Sequence, residues 1–358
     1  MRAAVLVSVP VSEDARNEVE AGAAPQRDYF ALADNLGASI MTPIAAASDS
    51  KLGRVLNIFR AAFGSFRRHR QYDLVITDVD RVGLLLALLF RLAGVRKRHI
   101  FISHGELANS FETFIVKAFG LHSRIDQVVC YGPLIARKLR SSCGFPNRKV
   151  VAVHHAGDHR FWRPETRVPD RLIASAGSYR RDYATLVEAT RDQNVQLIVA
   201  HHSPWVASHR NGAVSYHSGS VFFVRKSARE LRELYSRALF VAIPLFPSTD
   251  QAGSLVLYEA MAMGKAVVAT RTAGLEALGV LEHGETGVFV SPGDVEGWSQ
   301  AICYLLKHPE KVAQMGRRAR TIVDKGLNLD GYVKQVVDII HRETEPSPVQ
   351  SPKARLLR

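Results

Sequence analysis

Three cysteines are all that 358 residues contain, and Cys130, Cys143 and Cys303 lie far apart without any C-x-x-C pair. Neither a disulfide framework nor a zinc knuckle is encoded, and a reduced, cytoplasmic setting is expected. No apolar run reaches membrane length. The longest, Val82 to Val95, holds fourteen residues including Arg91, whereas a span needs about twenty, so it reads as a core helix. The opening MRAAVLVSV is a short strand pattern without the longer apolar stretch and cleavage site of a secretory signal. No G-x-G-x-x-G follows an early strand, which argues against a nicotinamide-dependent enzyme. What remains is ordinary in composition, 47% hydrophobic and 23% charged, and long enough for two domains with separate cores.

Acidic residues are also scarce. The net charge is +13, and residues 51–98 alone carry eleven basic side chains against three acidic ones. Between Lys51 and Arg70 the basic residues alternate with Leu52, Val55, Leu56, Ile58, Phe59, Phe63 and Phe66 at roughly helical spacing, the pattern of a basic amphipathic helix. Three readings stand: a solvated charged face, peripheral docking on an anionic membrane at its inner face, or nucleic acid. No nucleic-acid motif accompanies the charge, so no nucleic-acid partner is expected. Arginine outnumbers lysine 35 to 12, which points to a GC-rich bacterial source.

Short β-branched runs alternate with helical patterns along the whole chain, as in parallel sheets with crossover helices. Strands are expected at Ala3–Val9, Ala38–Met41, Leu74–Thr77, His99–Ser103, Gln127–Cys130 and Val150–His154. A second series follows at Leu172–Ala176, Val195–Ala200, Val221–Val224, Phe240–Pro244, Ala266–Thr270 and Gly287–Val290. The proline-bearing segment 163–170 between them reads as a linker. The expected architecture is α/β: two Rossmann-like, doubly wound parallel-sheet domains, 1–163 and 164–328, facing an interdomain cleft that holds the ligand. A helix at about 329–342 is expected to pack back on the first domain, and the proline-rich stretch 343–358 reads as a disordered tail.

The most informative segment is FPSTDQAGSLVLYEAMAMGKAVVATRTAGLEALGVLEHGETG, Phe246 to Gly287. A polar turn follows a strand. Small residues at Ala252, Gly253 and Ser254 then open an apolar helix whose first N–H groups and dipole favour a phosphate. Glu259 lies roughly 9 Å farther along that helix, where a carboxylate could accept from two ribose hydroxyls. The segment resembles the donor-binding signature of the retaining GT-B glycosyltransferases of glycosyltransferase family 4 (group 1). The likeness continues through GETGVFVSPGD and HPEKVAQMGRRAR and extends upstream to AVHHAGDHRFWRPE, covering residues 150–325; the N-terminal half is matched loosely.

That resemblance implies a GT-B fold and a metal-independent, cofactor-free hexosyltransferase. Such an enzyme moves a sugar from a UDP- or GDP-sugar to a carbohydrate, lipid-linked or small-molecule acceptor, as in polysaccharide or cell-envelope assembly. It implies that Glu259 binds the donor ribose, and that the backbone near Val224 and Arg225 meets the base. Ala252, Gly253, Ser254 and Leu255 would meet the diphosphate. Gln251 stands where the family has its first glutamate and carries no charge to stabilise a developing cationic sugar. Ser178 stands where the family has an arginine, and Arg180 or Arg181, just after Gly177, is placed to take over. His104 matches the family's strand-end histidine and can hydrogen-bond a sugar hydroxyl or accept a proton; Glu106 and Glu112 are weaker acceptor-side candidates. Because Gln251 and Ser178 depart from the pattern, a catalytically weak nucleotide-sugar binder or partner subunit is the alternative. Asp78-Val79-Asp80 spells the D-x-D of another glycosyltransferase fold but follows a strand in the first half. The doublets His154–His155 and His201–His202 alternate faces on a strand, so no metal site is expected.

Overall fold

The computed structural model describes residues 1–7, 11–12, 14–42, 51–105, 110–201 and 220–342. The first half contains β1 (Ala3–Leu6), β2 (Ser39–Met41), β3 (Leu74–Thr77), β4 (Arg98–Ser103), β5 (Gln127–Tyr131) and β6 (Val150–Val153). Its helices are α1 (Asp14–Glu20), α2 (Asp28–Leu36), α3 (Lys51–Arg67), α4 (Asp80–Leu92), α5 (Ser110–Ala118) and α6 (Pro133–Ser141). The second half contains β7 (Leu172–Ala176), β8 (Gln196–Ala200), β9 (Val221–Val224), β10 (Phe240–Ile243), β11 (Ala266–Thr270) and β12 (Gly287–Val290). Between and after these strands run α7 (Tyr183–Ala189), α8 (Ala228–Arg237), α9 (Ser254–Ala262), α10 (Ala273–Glu276), α11 (Val295–Lys307), α12 (Pro309–Asp324) and α13 (Leu329–Arg342).

The strands form two six-stranded sheets, ordered β2-β1-β3-β4-β5-β6 and β12-β11-β10-β7-β8-β9. All ten strand pairings are parallel. Both sheets are doubly wound, because the chain reverses its direction of travel between β1 and β3 in one and between β7 and β10 in the other. At such a switch point the flanking helices diverge and leave a crevice beyond the strand ends. Strands such as β5 (QVVCY) and β11 (AVVAT) are buried along their whole length, as strands covered by helices on both faces must be.

Packing departs from simple chain order at two places. Phe161 and Trp162, before the linker, are buried in the second core beside Tyr235 and Leu257, which gives these large aromatic side chains apolar cover. In the other direction α13 returns to the first core through Leu329, Tyr332, Val333, Val336, Ile339 and Ile340. The chain therefore passes between the two halves twice. The proline-rich stretch 343–358, Glu106 and His202 lie outside the described residues. No described helix is long and apolar enough to cross a membrane.

Candidate functional site

The second switch point is built from the residues that follow β7 and β10. Gly177 ends the strand with φ +91°, and the chain turns back through Ser178, Tyr179 and Arg180, the last itself left-handed at φ 53°. That turn separates the two arginines. Arg180 lies on the surface, where its Nε donates to Asp250 Oδ2 at 2.8 Å. Arg181 turns inward: its Nε donates to the Ala176 carbonyl at 2.8 Å and its Nη1 to the Tyr179 carbonyl at 3.0 Å. Its guanidinium occupies the space above the glycines. A Cβ on Gly177 would lie 2.6 Å from Nη2, and one on Gly253 would lie 3.7 Å from Nη1.

Gly253 is the residue before α9, at φ +86°. The helix begins at Ser254, so its first-turn N–H groups have no intrahelical acceptor and carry the positive end of the dipole. Arg181 and the start of α9 thus converge at one strand end. Farther along α9, Glu259 is buried and accepts from the Tyr235 hydroxyl at 3.2 Å. Burial pushes its carboxyl up to about 8, against the opposing pull of the Tyr235 hydrogen bond and the Arg181 charge. Tyr183, which donates to the Gly177 carbonyl, closes this polar cluster from α7. Ser178 is exposed, Ala252 is buried and Leu255 is partly exposed at the helix entrance.

Val224 and Arg225 stand two strands away, at the end of β9, with Arg225 exposed. The Val224 carbonyl accepts from His201 N–H at 3.3 Å, and Phe223 lies between the rings of Tyr183 and His201. Asp250, next to Gln251, is occupied. Its two oxygens accept from Ala252 N–H, Arg180 and the Tyr179 hydroxyl, so it shapes the turn rather than replacing the missing glutamate. Gln251 instead crosses to the first half, where its Nε2 donates to the Tyr131 carbonyl and packs against Gly132.

On the first domain's side, His104 follows β4 and Asp78 follows β3, and they form an ion pair at 2.9 Å. Burial alone would lower the imidazole's pKa, but Asp78 overrides it and raises it to about 9. The Asp78 pairing thus favours the imidazolium form of His104. Its ring stands edge-on to Tyr131, 4.8 Å between centroids. On the other side of Tyr131 lies His155, which pairs with Asp28 at 3.3 Å. Tyr332 of α13 completes the group through a 3.2 Å contact between the two tyrosine hydroxyls. Glu112 is not in this cluster; it pairs with Arg81 of α4. Asp80 begins α4, so the two aspartates of the D-x-D serve different elements. Among the described residues no three His, Cys, Asp or Glu side chains are grouped as metal ligands.

The fold brings Gly177, Arg181, Gly253 and Glu259 together and leaves Arg180 on the surface. The sequence carries no sign of Tyr235, Tyr183 or the pairing of Asp78 with His104. Asp78 alone carried a signal, as a carboxylate at a strand end.

Residues 181–308 match the family described as glycosyl transferases group 1. The D-inositol 3-phosphate glycosyltransferase of Gordonia bronchialis is 29% identical over 250 residues, 65% of this chain and 50% of that protein. The N-acetyl-alpha-D-glucosaminyl L-malate synthase of Bacillus anthracis is 35% identical over 97 residues, 27% of this chain and 25% of that protein. The chain spans half or less of the length of these curated relatives. Among solved structures, sucrose-phosphate synthase of Thermosynechococcus elongatus superposes with a TM-score of 0.71 at 18% identity, covering 96% of this chain and 99% of that one. Anabaena HepE in complex with UDP-glucose gives 0.67 at 14% identity, covering 96% and 100%. The fold is GT-B.

Proposed function

We propose that this chain, whose residues 181–308 form a group 1 glycosyl transferase domain on a GT-B fold, transfers a sugar from a nucleoside-diphosphate sugar to an acceptor hydroxyl with retention at the anomeric carbon. The observation that carries the reading is the inward-turned Arg181 at the switch point, beside Gly253 and the start of α9, with Glu259 on the same helix. A diphosphate fits this combination of guanidinium and helix dipole. The ribose then falls toward Glu259 and Tyr235, and the base toward Phe223 and Val224. UDP-glucose in the HepE complex supports a UDP-sugar as the donor, with a GDP-sugar the second donor in the panel below.

Departure of the nucleoside diphosphate places negative charge on the β-phosphate. Arg181 and the α9 amides are already oriented there, which stabilises the leaving group without reorganisation. This reading assigns that charge to protein groups and requires no divalent ion. His104, held as the imidazolium by Asp78, donates a hydrogen bond to the sugar or the phosphate in place of accepting a proton. Gln251, reaching the first half, helps keep water from the reacting carbon. The acceptor is a carbohydrate, a lipid-linked sugar or a small molecule bound on the first domain's side. The free cysteines, two of them buried, support a reducing, cytoplasmic setting.

A thermal-shift panel of UDP, GDP, dTDP and their sugars tests the donor site. A ligand at 100 times its Kd stabilises by about 2.7 kcal/mol, and Glu259→Ala or Arg181→Ala is expected to lose most of that shift. An unchanged shift in both variants removes the proposed site. Binding without turnover in the presence of acceptor extracts would favour the weak-catalyst alternative, which rests on the neutral Gln251.

A further inference from the structure

Among the described residues, none covers one face of α3. Ala61, Ala62 and Ser65 are buried against the first core. Val55, Leu56, Phe59 and Phe63 are exposed, the two phenylalanines by 54% and 53%. With about 100° of turn per residue, those four side chains fall within an arc of about 100°. Arg60 and Arg67 lie roughly 20–40° beyond its edge on the same geometry. On α5, Phe111 and Phe114 are likewise exposed, by 69% and 63%. Between them, α4 packs on α3 and is tied to α5 by the Arg81–Glu112 ion pair. The right-handed crossovers of a parallel sheet put all three helices on one side of it.

We propose that this α3–α5 face docks on an anionic lipid bilayer. Single exposed apolar residues need no explanation, but six large ones on two helices of one face do. The charge selects the occupant. From Lys51 to Arg70 the sequence has six basic residues and no acidic one, the composition of a helix that lies in an anionic interface with its apolar face below the headgroups. A second copy of the chain fits poorly, because a two-fold contact through this face would bring the same arginines against each other. Nucleic acid would leave the apolar stripe without a role.

The test is sedimentation of the full chain with vesicles of phosphatidylcholine alone and vesicles with phosphatidylglycerol added. Binding is expected to be at least about tenfold stronger to the anionic vesicles and to weaken as salt rises. Phe59→Ser with Phe63→Ser is expected to lower it about tenfold, and Arg60→Glu with Arg67→Glu to remove the preference for the anionic lipid. All four substitutions are on the surface, so the thermal shift with nucleotide is expected to persist and to report that the donor domain is intact. Equal binding to both vesicle types or unchanged binding by the phenylalanine variant overturns the proposal. So does a dimer that the same substitutions split into monomers.

Discussion

Glu259 and His104 titrate in the same unusual direction for different reasons. Burial lifts the Glu259 carboxyl from its ordinary 4.5 to about 8. For His104, burial pulls down but the Asp78 carboxylate wins and lifts the imidazole from 6.5 to about 9. In both cases the folded state binds protons that the unfolded chain releases, so stability falls as pH rises between the two values. The Glu259 contribution is complete below 4.5 and lost as pH rises through about 8. That of His104 is complete below 6.5 and lost through about 9. Denaturant titrations across this range are expected to show falling stability on the alkaline side. Glu259→Gln should flatten the lower part of the curve, and Asp78→Asn should bring the His104 ring titration, followed by NMR, back toward 6.5. A His104 titration that ignores Asp78→Asn would remove the ion pair as its cause. Glu259 and His104 were legible because each sits at a fixed offset from a glycine or a strand end. Their pairings with Tyr235 and Asp78 were not, since the fold brings those residues in from 24 and 26 positions away.

At the scale of elements, strands with continuous apolar runs were legible, and a polar helix was not. β3, β7 and β11, buried along their whole length, begin and end where the β-branched runs do, because a strand covered on both faces is apolar throughout; the edge strands β9 and β12 do so as well, with part of their surface exposed. The polar helix α1, with no buried residue, has no apolar period to betray it. Glycine spacing was visible too, but its meaning came only from contacts. Gly274, in α10, lies so close to the donor loop that a Cβ there would be 1.6 Å from the Asp250 carbonyl oxygen. A backbone atom cannot swing aside as a side chain can, so Gly274→Ala must push the Asp250–Gln251 turn away. The expected cost is about 1–3 kcal/mol, read as a lower melting temperature, together with a weakened nucleotide shift. Retention of both would show that the loop tolerates the displacement.

At the scale of the molecule, Gln251 joins the two halves across the cleft. The two halves meet where Gln251 Nε2 donates to the Tyr131 carbonyl, with Leu278 packed near Gly132. The sequence showed Gln251 only as a lost charge. It showed no cross-domain bond, because nothing local to the PSTDQAG turn specifies what lies across a cleft. Physically the two residue types are opposites here. An amide N–H satisfies a carbonyl, whereas an ionised carboxylate facing that carbonyl sets acceptor against acceptor. Gln251→Glu, which restores the charge of the resembling family, is therefore expected to open the cleft of the unliganded protein while leaving both cores intact. Small-angle scattering should show a larger radius of gyration for this variant than for the parent, and the difference should shrink when a nucleotide sugar is added, because ligand contacts to both halves favour the closed state. Identical scattering curves for the two proteins without ligand would show that the Gln251–Tyr131 bond does not hold the halves together.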